Sequence, residues 1–163
     1  MKKMIKVSLQ MLTEKPVMIR EAAQEGRLWL IVVTDEAVVR NQVAGEVCRY
    51  VAQIAEYASP RWRGQIEALW QRICAEERFA ELFLPGPKCR KCTTMNKYNV
   101  MRVIGVLREQ GVYDEAVNCV QLCRTLEYGD ESDAPYDSTY RSYIGKGLDN
   151  RHLLQQLLKL IRA

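Results

Sequence analysis

The sequence predicts an all-α fold: a single irregular helical domain over residues 1–163, with about five to seven helices and a central helical hairpin at 98–128. Three observations point there. Apolar residues recur at helical spacing across most of 35–128 and again near the C-terminus. Cap residues stand where those periods begin, and glycines or prolines stand where they end. At 48% hydrophobic and 27% charged, the 163 residues have the composition of an ordinary folded domain and suffice for one core.

The N-terminal 33 residues are ambiguous. Ile5, Val7, Leu9 and Met11 alternate with Lys6, Ser8 and Gln10 as in a strand, while Met4, Ile5, Leu9 and Leu12 suit a helix. Residues 17–25 read as a helix stopped by Gly26. The apolar run 28–33 fits a buried strand or a buried helical segment, and only residues 4–12 offer it a strand partner. Helix is the preferred reading of both segments; a short N-terminal β element is the alternative.

From there the periods are clear. Thr34 or Asp35 caps a helix expected to run to about Ala58, with Val39, Val43, Val47, Tyr50, Val51, Ile54 and Ala58 as its stripe. Ser59 and Pro60 restart the chain as cap and first helical residue. Trp62, Ile66, Leu69, Trp70, Ile73 and Ala80 stripe that helix, and Pro85, Gly86 and Pro87 stop it. After a loop at 88–93, Thr94 or Asn96 opens the hairpin, whose first helix should bury Tyr98, Met101, Ile104 and Val106 or Leu107. A turn at Gln110, Gly111 and Val112 leads to a second helix capped by Asp114, with Ala116, Cys119, Val120, Cys123 and Leu126 as its core face and Gly129 as its stop. Residues 129–138 have the composition of an acidic flexible loop. The last helix begins near Asp149 and carries Leu153, Leu154, Leu157, Leu158 and Ile161.

Tyr98 and Asn99 opening a helix, Gly111 at a turn, Asp114, Glu115 and Ala116 opening the next helix, and Leu126 near its end make 98–129 similar to one pentatricopeptide or tetratricopeptide repeat. The resemblance covers about a fifth of the chain and implies two antiparallel helices. Repeat solenoids stack roughly three or more copies, and no second copy stands at about 34-residue spacing. The resemblance is therefore taken for geometry and not for function.

The net charge of +4 is unevenly spread, with +5 over residues 83–112 followed by −6 over 113–137. Such blocks either form a dipolar surface or neutralise one another on folding, and the second is the preferred reading. Lys88, Arg90, Lys91, Lys97 and Arg102 are the candidate nucleic-acid contacts, with Lys97 and Arg102 expected on one helix face and Arg108 off it. The second hairpin helix, with Asp114, Glu115 and Glu127 against Arg124, has the wrong sign for a groove-reading helix. Tyr136, Tyr140, Arg141 and Tyr143 are candidate interface residues of a type favoured in protein contacts, or anchors of the acidic loop.

The six cysteines are expected as thiols. Cys89 and Cys92 are candidate zinc ligands, because a C-x-x-C turn chelates one edge of a tetrahedron. Their complement, Cys119 and Cys123, sits one helical turn apart in an apolar stripe, where packing as buried thiols is the better reading. The single histidine, His152, has no sequence partner for acid–base work. Gly145, Lys146 and Gly147 lack the rest of a phosphate loop and read as a flexible loop. No metal, cofactor or catalytic group is expected. No apolar run is long enough for a signal or a membrane span, so a cytoplasmic protein is expected. The expected role is a non-enzymatic helical interaction or regulatory module that binds a protein partner or a second copy of itself. A small nucleic-acid-binding accessory protein using residues 88–108 is the alternative.

Overall fold

A computed structural model of the chain describes residues 3–8, 28–33, 36–85, 94–129 and 138–163. The all-α prediction holds, with seven α-helices among the described residues. The chain divides into two compact units, Met1–Asn41 and Gln42–Ala163.

In the first unit, β1 (Lys3–Ser8) and β2 (Leu28–Val33) pair in parallel, with Ile5 opposite Leu30 and Val7 opposite Val32. The preference for helix in both segments is thus corrected to the β alternative. The alternation at residues 5–8 was a true strand signal, and a six-residue run of apolar and β-branched residues is long enough for a strand and short for a helix. The helix expected at 17–25 lies outside the described residues.

Helix α1 (Glu36–Ala52) is followed by a 3₁₀ turn at Ala55–Tyr57. Val43, Val47, Tyr50, Val51, Ile54 and Ala58 are buried, as predicted, but Val39 is only half-buried, and the helix expected to reach about Ala58 ends at Ala52. Ser59 does not cap a helix. Residues 57–59 instead run antiparallel to 112–114: Ser59 N–H donates to the Val112 carbonyl (2.9 Å) and Asp114 N–H donates to the Tyr57 carbonyl (2.8 Å), around an Ala58–Tyr113 bridge. The Ser59 hydroxyl donates to the Gly111 carbonyl at 2.8 Å. Ser59→Ala is expected to lower stability by about 1 kcal/mol, the net worth of one such bond, measured by urea unfolding.

The next helix begins only at Ile66, as α2 (Ile66–Ala75), and a break at Glu76 precedes α3 (Glu77–Leu82). Phe79, not Ala80, points inward from α3. Trp70, Phe79 and Phe83 pack as tilted rings, with centroids 6.5 Å apart for Trp70–Phe83 and 6.1 Å for Phe79–Phe83. The Trp70 indole N–H donates to the Tyr113 hydroxyl at 2.7 Å inside this cluster.

Helix α4 (Lys97–Glu109) starts at an Asn96 cap, whose side chain accepts from Asn99 N–H at 3.2 Å. Seven of its residues are buried: Val100, Met101, Val103, Ile104, Gly105, Val106 and Leu107. This is wider than one amphipathic stripe, because α4 runs through the centre of the second unit. Its C-terminus is a Schellman stop. Gly111 (φ 72°) donates to the Arg108 carbonyl, and Val112 N–H donates back to the Leu107 carbonyl at 2.9 Å. The second hairpin helix, α5 (Cys119–Tyr128), begins at Asn118, whose side chain accepts from Gln121 N–H at 2.8 Å. Asp114 is therefore not its cap; its carboxylate accepts from Ala116 N–H at 2.9 Å in an Asx turn. Leu122, Cys123, Thr125 and Leu126 form the buried face of α5, while Ala116 is exposed and Cys119 and Val120 are half-buried. The repeat-like opening at Asp114, Glu115 and Ala116 is therefore a turn and not a helix. Gly129 (φ 64°) stops α5 as predicted.

Helix α6 (Ser138–Lys146) packs across α4 and also touches α5. Gly145 and Lys146 are its last residues and Gly147 (φ 61°) is its left-handed cap, so the glycines expected in a flexible loop end a helix. Helix α7 (Arg151–Arg162) begins at Asn150, whose side chain accepts from His152 and Leu153 N–H. It buries Leu153 and Leu157 and packs on α2, while Leu154, Leu158 and Ile161 are half-buried. No helix among the described residues is long and apolar enough to cross a membrane.

Candidate functional site

Among the described residues, a cleft of about 320 Å³ lies between residues of α1 and α2. Its α1 side is Cys48, Val51 and Ala52, with Ala55 just beyond the helix; its α2 side is Ile66, Glu67 and Trp70. The apolar stripes beside the cleft, Val47, Val51 and Ile54 on one side and Ile66, Leu69 and Ile73 on the other, are all buried. The residues flanking those stripes form the cleft walls. The lining is thus mostly apolar, with small Ala52 and Ala55 leaving the space that a larger residue would fill. The volume lies at the small end of ligand-sized pockets.

Three polar groups border the cleft. The Arg49 guanidinium is held by Glu46 at 2.8 Å on the exposed face of α1. Glu67 is exposed and has no ionic partner among the described residues. The Cys48 thiol is half-buried, and the thiol of Cys74 on α2 is buried. Burial raises the Cys48 pKa, the Cys74 side chain partly opposes this, and the Glu67 charge adds to it. Burial also pushes Cys74 up to about 12, helped by Cys48. Both sulfurs are therefore protonated near neutrality.

Of the basic residues foreseen as a nucleic-acid face, Lys97 and Arg102 are among the described residues. Five residues at 100° leave Lys97 and Arg102 about 140° apart on α4, which corrects the expected shared face. Lys97 Nζ lies 3.4 Å from Glu127 Oε1 and 5.6 Å from the Tyr50 ring centroid. The same Glu127 oxygen accepts from the Tyr50 hydroxyl at 2.9 Å, so this pair joins α1, α4 and α5. Arg102 lies 5.7 Å from the Tyr143 ring of α6 and meets Asp149, beyond the end of α6, at 3.1 Å. Arg108 clamps the turn before α5, donating to the Val117 and Glu115 carbonyls at 2.8 and 2.9 Å. Adjacent charge blocks thus meet directly at Lys97–Glu127, as the neutralisation reading expects. Lys88, Arg90 and Lys91 lie outside the described residues.

Among the interface candidates, Tyr143 stacks on Tyr98 at 4.5 Å, with Lys146 4.7 Å above its ring. It serves the α4–α6 contact and is half-buried there, while Arg141 is exposed. Tyr136 lies outside the described residues, and Tyr140 is placed on α6. His152 is exposed in the first turn of α7, in a separate polar groove with Glu76, Arg78 and Lys159. Cys89 and Cys92 lie outside the described residues, so the zinc candidate does too. Among the described residues no group of three histidine, cysteine or acidic side chains is gathered to hold a metal. Cys123 is buried as expected, but Cys119 is only half-buried.

The cleft itself was missed by sequence reading. The only trace of it was the placing of Cys48, Ala52 and Glu67 beside two well-defined stripes. No protein-family model, curated protein or solved structure matches the chain.

Proposed function

We propose that this chain is a non-enzymatic helical interaction module whose α1–α2 cleft receives an apolar side chain of a protein partner, next to a basic residue of the same partner segment. The supporting observation is the cleft's make-up: an apolar lining of Val51, Ala52, Ala55, Ile66 and Trp70, with the Glu67 carboxylate at its edge while Arg49 is engaged by Glu46. An apolar anchor seated in such a pocket supplies most of the affinity, and a rim charge selects the sign of its neighbour. The segment around the cleft, residues 35–82, carries a formal net charge of −2, which favours the same basic partner.

Selection of short peptides from a random displayed library against the purified chain tests this reading. Enriched peptides should share a large apolar residue flanked by Lys or Arg. Ala52→Trp, which fills the cleft from an exposed helix position, should weaken their binding about tenfold or more. Glu67→Lys should weaken it roughly three- to tenfold and lessen its salt dependence. Acidic consensus peptides, or binding indifferent to both changes, would refute it. Submicromolar binding to duplex DNA or RNA at about 0.15 M salt would instead favour a nucleic-acid accessory role.

A further inference from the structure

We propose that the outward face of α7 and the groove beside it form a docking surface, separate from the cleft, for an extended acidic segment of a partner protein. Helix α7 carries Arg151, Lys159 and Arg162 and no acidic residue. At about 100° per residue, Arg162, Lys159 and His152 stand roughly 20°, 80° and 100° around the helix from Arg151, so these basic side chains share one face. All four are exposed. On the other side Leu153 and Leu157 are buried, and α7 packs on α2. A groove of about 590 Å³ is lined by His152 and Lys159 of the basic face together with Glu76 and Arg78 at the start of α3. Arg78, Arg151, Lys159 and Arg162 have no ionic partner among the described residues.

Uncompensated positive charge on one face calls for an anion, and the spacing of the charges selects its form. From Arg151 to Arg162 the helix rises about 16.5 Å, too far for one phosphate or carboxylate to bridge. An extended peptide covers that length in about five residues and sends alternate side chains to the same side. Carboxylates at alternate positions therefore meet the basic side chains in turn, and an arginine can hold one in bidentate fashion. The groove's make-up favours a peptide over a nucleic acid. No aromatic side chain lines it, so bases have nothing to stack on. Glu76, whose carboxylate accepts from the Gln156 amide, can also accept from a peptide N–H, but it repels a phosphodiester. Leu160 offers contact to an apolar side chain of the same segment. A membrane surface fits less well, because an interfacial helix inserts its apolar face, and the Leu153 and Leu157 side of α7 is packed inward. The groove shares no lining residue with the α1–α2 cleft, so each reading can fail without the other. Exposed ion pairs are weak and salt-sensitive, so this complex is measured in solution and not by selection from a displayed library, whose washes retain tight binders.

The test titrates the full, isotopically labelled chain with an end-blocked peptide of alternating glutamate and alanine, up to about 1 mM at about 0.05 M salt, followed by amide NMR. The shifts should concentrate on α7 and around Arg78, and binding should weaken about threefold or more at about 0.2 M salt. Lys159→Glu and Arg162→Glu should each weaken it about two- to fivefold, the span of one exposed ion pair. Arg61→Glu, at an exposed arginine that lines neither groove nor cleft, should change it less than about 1.5-fold. The proposal is overturned if the peptide leaves the spectrum unchanged, if the shifts map elsewhere, or if Arg61→Glu weakens binding as much as the α7 variants do. It is also overturned if a thymidine oligonucleotide of equal charge binds more tightly, or if the chain pellets with phosphatidylserine vesicles at the same salt, since either would name a different occupant. The map is read on the unaltered chain, and the same spectra show whether each variant is folded.

Discussion

Gly105→Ala is expected to lower the stability of the fold by about 2 kcal/mol, although alanine is the better helix former. A Cβ at position 105 would stand 1.9 Å from the Ile144 carbonyl oxygen and 2.9 Å from the carbonyl carbon. Both atoms are α6 backbone, which cannot swing aside as a side-chain tip would. Helices α4 and α6 cross here at glycine distance, so added volume must push them apart along their contact. Overpacking of this kind costs about 1–3 kcal/mol and occasionally more. The propensity gain of alanine over glycine returns only about 1 kcal/mol. With a clash well inside any real contact distance, the steric loss wins, and a net loss of about 2 kcal/mol lowers Tm by roughly 4–8 °C for a chain of this size. Gly45 supplies the control. It sits exposed in the interior of α1, and a Cβ there meets nothing within 4 Å. Gly45→Ala should therefore raise stability by about 0.5–1 kcal/mol. The same chemical change is expected to have opposite signs at two helical glycines, measured by thermal unfolding of the two variants. Stabilisation at both positions would mean that the α4–α6 crossing is looser than the structure shows.

The helices were legible wherever burial follows a single stripe. Val43, Val47, Tyr50, Val51, Ile54 and Ala58 declared one face at helical spacing, and all are buried. The caps at Asn96 and the stops at Gly111 and Gly129 were readable because they depend on local chemistry alone. What failed was decided by distant partners. Ser59 and Asp114 are good cap residues, but the pairing of 57–59 with 112–114 holds the backbone extended at both places, and Asn118 takes over as the cap of α5. Pairing of β1 with β2 is likewise non-local, and neither segment alone could choose between strand and helix. Gly105 carried no local mark, since its reason is Ile144 on another helix. The candidate site was illegible for the same cause. Its walls come from two separate stretches, Cys48–Ala55 and Ile66–Trp70, and no spacing motif in either marks them.

Tyr113→Phe is expected to cost about 1–3 kcal/mol, and Tyr113→Ala about 3–5 kcal/mol, in urea unfolding. Tyr113 is fully buried, and its hydroxyl is the acceptor for the Trp70 indole N–H at 2.7 Å, itself 1% exposed. Phenylalanine keeps the ring packing but strands a buried donor, so the cost is the desolvation of an indole N–H that no longer finds a partner. Alanine adds a ring-sized cavity beside Trp70, in the cluster that holds α2 and α3 to the turn after α4. Alkaline pH probes the same site without a truncation. Burial raises the Tyr113 pKa above the ordinary tyrosine range, and the bond from Trp70 only partly offsets this. Above about pH 10 the unfolded chain releases this proton while the folded chain keeps it. The stability this group contributes is thus fully present below about pH 10 and falls as pH rises beyond it, by up to about 1.4 kcal/mol per pH unit. Cys74, raised to about 12, adds a similar decline that begins in the ordinary thiol range. That decline is common to the parent and to Tyr113→Phe, so the difference between their slopes above about pH 10 isolates the tyrosine. The variant, though less stable at neutral pH, should lose stability less steeply in alkali. Parallel slopes would show that Tyr113 ionises as readily in the folded chain as in the unfolded one, and that the Trp70–Tyr113 pair is open to solvent.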